Sequence, residues 1–218
     1  MITSVTTSAS LNSNDELEPF VELRFPVLGT YLPADHNYGL YAAFIHLIPE
    51  LRQQKTVSIL TIPGVGDKQG KILLTDESRL RVRVPISQVS LVYKLAGKRI
   101  CVGKHEIQIG IPQMANLRSA PKTRARIVTI KNYQEPDSFL EAVKRQLTSL
   151  EIHGVPTIPV DRDGQLMRKT IKIKQFTVVG FTVQVSDLRE KDSVKLQQFG
   201  IGGKRHMGCG FFLPCHDF

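Results

Sequence analysis

One order of elements runs through this chain twice, and it restricts the fold more than any other feature. Residues 18–25 follow a strand pattern. Residues 26–34, with two prolines, read as a loop, and Asp35 as a helix N-cap. Leu40, Phe44, Leu47, Ile48 and Leu51 then recur at helical spacing, with Pro49 near the helix end. Residues 57–62 read as a strand, and Gly64, Gly66 and Gly70 mark a turn region. Residues 72–74 and 80–84 are extended, and 85–96 open as a helix with proline first. Residues 99–111 close the unit as a strand, or a hairpin through Gly103 and Lys104.

The order then recurs. Residues 124–130 read as a strand and 136–150 as a helix carrying Phe139, Leu140, Val143, Leu147 and Leu150. Residues 155–160 are extended, 161–164 form a turn, and 167–174 and 176–185 are strands. A helix over 190–199 and a strand over 209–213 complete the set. The expected fold class is α+β: two tandem ferredoxin-like (RRM-like, βαββαβ) domains, each of about 90–100 residues. They span 17–111 and 124–218, joined by a linker over 112–123 and preceded by a disordered tail over 1–16.

Composition narrows the partner. The formal net charge of +9 suits a polyanion such as nucleic acid. The charge is concentrated: residues 98–131, beginning with Lys98 and Arg99, hold eight basic residues against one acidic. Three cysteines, an odd number, argue against a disulfide framework and for a reducing, cytoplasmic setting. Cys209, Cys215 and His216 have no zinc-site spacing, so no metal is expected. The first 14 residues lack the basic and apolar regions of a signal peptide. No apolar run approaches the ~20 residues that span a membrane.

Residues 199–212 interleave Gly200, Gly202, Gly203, Gly208 and Gly210 with Lys204, Arg205 and His206. Bare N–H groups in such a loop can form an anion-binding concavity, which reads as a cradle for a phosphate backbone. A tight connection between a helix and an edge strand explains the same glycines. No GK[ST] ending is present, so it is not a nucleotide P-loop. In residues 168–174, Arg168, Thr170, Lys172 and Lys174 face one way and Ile171 and Ile173 the other. That basic face suits RNA, although lysines guarding an edge strand look the same. Lys144 and Arg145 lie on the polar side of the 136–150 helix, again suited to phosphates or simply to water. Aromatics are few and no RNP-type sequence is present, which favours charge, shape and backbone contacts over base stacking.

Of the six histidines, His36 stands out because it sits at the start of the first helix. The partial positive charge there favours a neutral imidazole, a competent general base. His46, on the polar side of the same helix, is the competitor, and Tyr38 and Tyr41 are nearby hydroxyls.

These residues carry a family resemblance. The 199–212 segment has the form G-h-G-x5-G-h-G, with h apolar. Leu23-Arg24-Phe25-Pro26, Pro33-Ala34-Asp35-His36, Leu95-Ala96-Gly97-Lys98-Arg99 and Val128-Thr129-Ile130-Lys131 add to it. Together they resemble the myxobacterial-type branch of the RAMP-superfamily CRISPR repeat endoribonucleases, across residues 17–214. The resemblance implies a prokaryotic enzyme that cuts CRISPR repeat RNA without metal or cofactor, the ribose 2′-OH attacking the adjacent phosphate. It implies a 5′-OH and a 2′,3′-cyclic phosphate as product ends, and His36 as the base. It further implies that the enzyme stays on the crRNA 3′ handle with other Cas subunits of a Cascade-like complex. A non-catalytic RAMP subunit that only binds guide RNA is the alternative.

Overall fold

The computed structural model describes residues 18–67 and 69–215; the tail expected over 1–16 and His216 lie outside them. Phe20–Leu28 forms β1, the centre of the first sheet, and it is buried on both faces at its start. Val21, Leu23, Phe25 and Val27 point into a core shared with the helices, and Glu22 is buried on the other face. Ser58–Leu60 (β3), Arg79–Pro85 (β6), Arg99–Val102 (β7) and His105–Ile109 (β8) complete the order β3-β6-β1-β8-β7. Counting the β7–β8 hairpin as the fourth strand, this is the 2-3-1-4 order of a ferredoxin-like sheet.

The second sheet repeats it. Thr123–Val128 (β10), Val155–Thr157 (β11), Phe176–Ser186 (β13) and Phe212–Pro214 (β14) give β11-β13-β10-β14, and Arg168–Ile173 (β12) pairs with the first half of β13. The helices are Asn37–Leu47 (α1), Val89–Tyr93 (α2), Pro136–Ser149 (α3) and Glu190–Phe199 (α4). The fold is two tandem ferredoxin-like units. Phe139, Val143, Leu147, Phe181, Leu196 and Phe212 anchor the second core.

Several boundaries depart from the pattern for local reasons. α1 stops at Leu47 because Pro49 disfavours helical geometry at Ile48, whose φ is −136° and ψ 79°. Pro49–Gln53 continues as a 3-10 turn. α2 covers only part of 85–96, since Pro85 ends β6 and Ile86–Gln88 is a 3-10 turn. Tyr31–Pro33 (β2), Val65–Gly66 (β4) and Lys71–Leu73 (β5) form a small separate sheet; the first two lie in stretches expected as loop and turn, and the third overlaps the strand expected over 72–74. Within 112–123, expected as a linker, Gln113–Asn116 (β9) pairs with β1. Pro26 is tolerated mid-strand because β9 pairs only as far as Arg24 and β8 begins at Val27, so its missing N–H faces a gap.

The two sheets are locked together. Arg83 of β6, 1% exposed, donates to the carbonyls of Gln197 (2.6 Å) and Phe212 (3.0 Å) and to Glu22 Oε2 (3.0 Å). Its guanidinium lies 4.0 Å from the Phe211 ring centre, and Phe20 packs edge-on against Phe199. Elsewhere the Lys172 N–H donates to Asp35 Oδ2 at 2.7 Å. Asp35 therefore ties α1 to β12 and does not cap the helix, whose N-cap is His36 with no side-chain cap bond.

Candidate active site and nucleic-acid interface

The outer face of α1 and the 3-10 turn after it enclose a cleft of about 650 Å³ lined by Tyr38, Tyr41, Ile45, His46, Arg52 and Gln53. The break at Pro49 swings the turn so that Arg52 rejoins the face carrying Tyr38 and His46. His46 and Arg52 are exposed, and neither makes a hydrogen bond or ion pair with the described residues. An open imidazole, a free guanidinium and two phenols in one cleft can take a proton, balance developing negative charge and return a proton. Two of the three expected catalytic residues, Tyr38 and His46, are therefore brought together. Arg52 was missed, because a lone arginine in a polar stretch carries no pattern.

In this structure His36 offers no free ring nitrogen for base catalysis. It is 3% exposed, its Nδ1 donates to the Pro33 carbonyl (2.9 Å), and its Nε2 accepts the Ile62 N–H (3.0 Å). Both nitrogens are occupied, which defines the neutral Nδ1–H tautomer and leaves no lone pair for a substrate. The side chain pins the entry to α1 against the segment following β3. Burial is the main cause lowering the pKa of this imidazole; the Pro33 bond opposes it and the Arg126 charge adds to it. Stability follows with a definite sign. The unfolded chain takes up the proton first, so the contribution is complete above about pH 6.5 and is lost as pH falls below it. Urea denaturation between pH 7.5 and 5.5 should show falling stability, with a shallower dependence in His36→Gln. An identical slope in both proteins would contradict this role.

The backbone of the glycine-rich loop does not form the expected anion cradle. The N–H groups of Gly200, Gly202, Gly203, Gly208 and Gly210 do not point at a ligand. They donate to Leu196 O, Gln146 Oε1, Thr129 O, Arg205 O and Ile127 O respectively. The glycines are required because backbones meet here: a Cβ on Gly200 would overlap the Gly210 carbonyl, and one on Gly210 the Ile201 carbonyl. Both have positive φ, 61° and 65°. The tight-connection explanation holds for the backbone. Arg205 is spent on the carbonyls of Phe199 and Lys55, and His206 on that of Gln54. Lys204, exposed and left-handed, remains the side chain of the loop open to a ligand, and it borders a groove with Lys131 and Asn132.

Arg168, Thr170 and Lys172 are exposed on β12 with Ile171 buried, and Lys174 is exposed at the hairpin tip, as the alternation required. Lys144 pairs with Glu141 (2.8 Å), and Arg145 donates to the Tyr133 hydroxyl (2.8 Å). Lys98 and Arg99 are exposed at the β7 edge, the opposite edge of the first sheet from β3, where the glycine loop docks. The structure does not bring that pair to the loop. Among the described residues no group of three His, Cys, Asp or Glu side chains is placed to hold a metal ion.

Tandem ferredoxin-like units, a glycine-rich loop ahead of the last strand and a basic surface define a protein of the RAMP class. Residues 21–217 match the Cas6 Crispr family model, and the chain belongs to the Cas6 family. It is 32% identical over 204 residues to the CRISPR-associated endonuclease Cas6 of Myxococcus xanthus (strain DK1622), covering 94% of this chain and 85% of that protein. A solved structure of a CRISPR associated protein Cas6 superposes with a TM-score of 0.64 at 13% identity, covering 91% of this chain and 100% of the other. A Cas6-related protein from Pyrococcus furiosus gives 0.64 at 11% identity, covering 92% and 100%. At these identities the structural likeness is one of fold.

Proposed function

We propose that the chain is a metal-independent endoribonuclease that processes CRISPR repeat RNA, with its chemistry in the α1 cleft. Membership of the Cas6 family and 32% identity to a CRISPR-associated endonuclease support the substrate and the activity. The observation that carries the site is that Tyr38, His46 and Arg52 line one cleft, the last two with no side-chain partner among the described residues. His46 takes the proton from the ribose 2′-OH, whose oxygen attacks the adjacent phosphorus. Arg52 balances the charge of the phosphorane. The 5′-oxygen leaves with a proton from Tyr38, giving a 2′,3′-cyclic phosphate and a 5′-OH. Exposed Arg168, Lys172, Lys174 and Lys204 hold the phosphate backbone of the repeat, and the reading extends to a crRNA that stays on this surface beside other Cas subunits.

The nucleophile belongs to the substrate, so a metal has no step to perform. Purified protein with its repeat RNA in excess EDTA should cleave at an undiminished rate and leave 2′,3′-cyclic phosphate ends. Strict dependence on Mg²⁺, or 3′-OH ends, would rule the mechanism out. Binding without any cleavage would instead favour the non-catalytic guide-RNA-binding alternative.

A further inference from the structure

Two consecutive side chains of the glycine-rich loop are committed to the other ferredoxin-like unit. The loop closes in a single 3-10 turn, Arg205–Met207, between left-handed Lys204 and Gly208. That turn lies against β3 and α1. Its fit is close: a Cβ on Gly208 would stand 3.0 Å from Thr61 Cγ2, past the end of β3. Arg205 reaches the Lys55 carbonyl while also holding the Phe199 carbonyl at the end of α4. His206 Nε2–H donates to the Gln54 carbonyl at 2.7 Å. The His206 ring lies parallel to Tyr41, with a 6° interplanar angle and 5.4 Å between centres.

What these groups hold is informative. Tyr41 is a wall of the α1 cleft, and Gln54 and Lys55 immediately follow Arg52 and Gln53, which form its other wall. Leu51 anchors the middle of the Pro49–Gln53 3-10 turn in the core, but Arg52 and Gln53 are exposed. The two carbonyls just beyond them are fixed by donors from the second unit. One imidazole thus touches both walls, through its ring face and through its N–H.

We propose that Arg205 and His206 are positioning residues, which set the separation of Tyr41 from the Arg52 turn and so the geometry of the cleft, rather than ligands of the RNA. This rests on the α1 cleft being the catalytic site. It gives the motif a role in catalysis at a distance: the loop carries no reacting group, yet it couples the unit bearing the basic β12 surface to the unit bearing His46. Misplacement of a reacting group by about 1 Å can cost up to 10²-fold in rate, so the loop need move only slightly to matter.

The test uses the full-length protein with His206→Ala and His206→Gln, the glutamine amide retaining a donor for the Gln54 carbonyl. Single-turnover cleavage of repeat RNA at saturating enzyme, the Kd for that RNA, and amide hydrogen exchange over residues 52–57 are measured below the melting temperature of each variant. His206→Ala should cut the rate roughly 10- to 100-fold with Kd within about twofold, and exchange over 52–57 should rise. His206→Gln should recover part of both. The pH–rate profile should keep the limb that disappears in His46→Ala. Weakened Kd with unchanged rate at saturation and unchanged exchange would make His206 an RNA ligand and overturn the proposal. Loss of the pH limb in His206→Ala would make it the base, which overturns it equally. Should His46→Ala leave the rate unchanged, the catalytic reading of the cleft fails, whereas the exchange data still decide whether the loop holds the 52–57 segment.

Discussion

His46→Ala should slow single-turnover cleavage of repeat RNA by roughly 10²–10⁴-fold, the range for a lost general base. Affinity for the RNA should stay within about twofold, because the imidazole acts on a proton that moves only in the transition state. The limb of the pH–rate profile that reports the base should vanish with it. Arg52→Ala should lose a comparable factor without removing that limb, since a guanidinium stays charged at every working pH. His36→Gln is the informative contrast. Its ring is enclosed, with both nitrogens bonded inside the protein, so its loss should lower stability and leave the pH–rate profile in place. If His36→Gln abolished the limb while His46→Ala did nothing, the base would lie at the helix entry, and the ring would have to leave its pocket to act.

Glu22→Gln should destabilise the fold by about 3–5 kcal/mol, the cost of leaving a buried ionic partner uncompensated. Glu22 is buried at the seam between the units and accepts Arg24 Nε (2.7 Å), Arg81 Nη2 (2.7 Å) and Arg83 Nη2 (3.0 Å). Burial alone would raise its carboxyl pKa, but the charges of Arg83 and Arg81, with hydrogen bonds from Arg24 and Arg81, hold it below the ordinary value. Burial pulls the Arg83 guanidinium down to about 10, still protonated at neutral pH. A carboxylate whose folded pKa is depressed contributes fully above about pH 4.3, and that contribution disappears as pH falls through the folded value. Chemical denaturation of Glu22→Gln at pH 7 checks the magnitude. A loss under about 1 kcal/mol would mean that the seam is held by its apolar contacts and Arg83 is satisfied by the two carbonyls alone.

The order of elements was legible because it depends on periodicity, which survives without tertiary context. The helices over 136–149 and 190–199 and the alternation of Arg168, Thr170 and Lys172 about Ile171 emerged as the pattern required. What stayed hidden depends on partners far along the chain. Two- and three-residue strands such as Val65–Gly66 and Tyr31–Pro33 carry too few residues to show a period, and their pairing forms only when Lys71–Leu73 arrives. His36 sits where a base would sit, but its fate is set by the Ile62 N–H, 26 residues away. The glycines look the same whether their N–H groups face a phosphate or a neighbouring carbonyl, and Thr129, Gln146 and Ile127 decide the matter from other elements. Nothing within residues 79–85 marks Arg83 off from Arg79 and Arg81; Gln197 and Phe212, far along the chain, bury it.

The measurement that bears most directly on the function is cleavage of a repeat RNA carrying a single 2′-deoxy nucleotide immediately 5′ of the cut. With the substrate hydroxyl as nucleophile, this RNA should bind with unchanged affinity and remain intact under single-turnover conditions, while the all-ribose RNA is cut. Cleavage of the deoxy substrate at the normal position would contradict 2′-OH attack and require an external nucleophile.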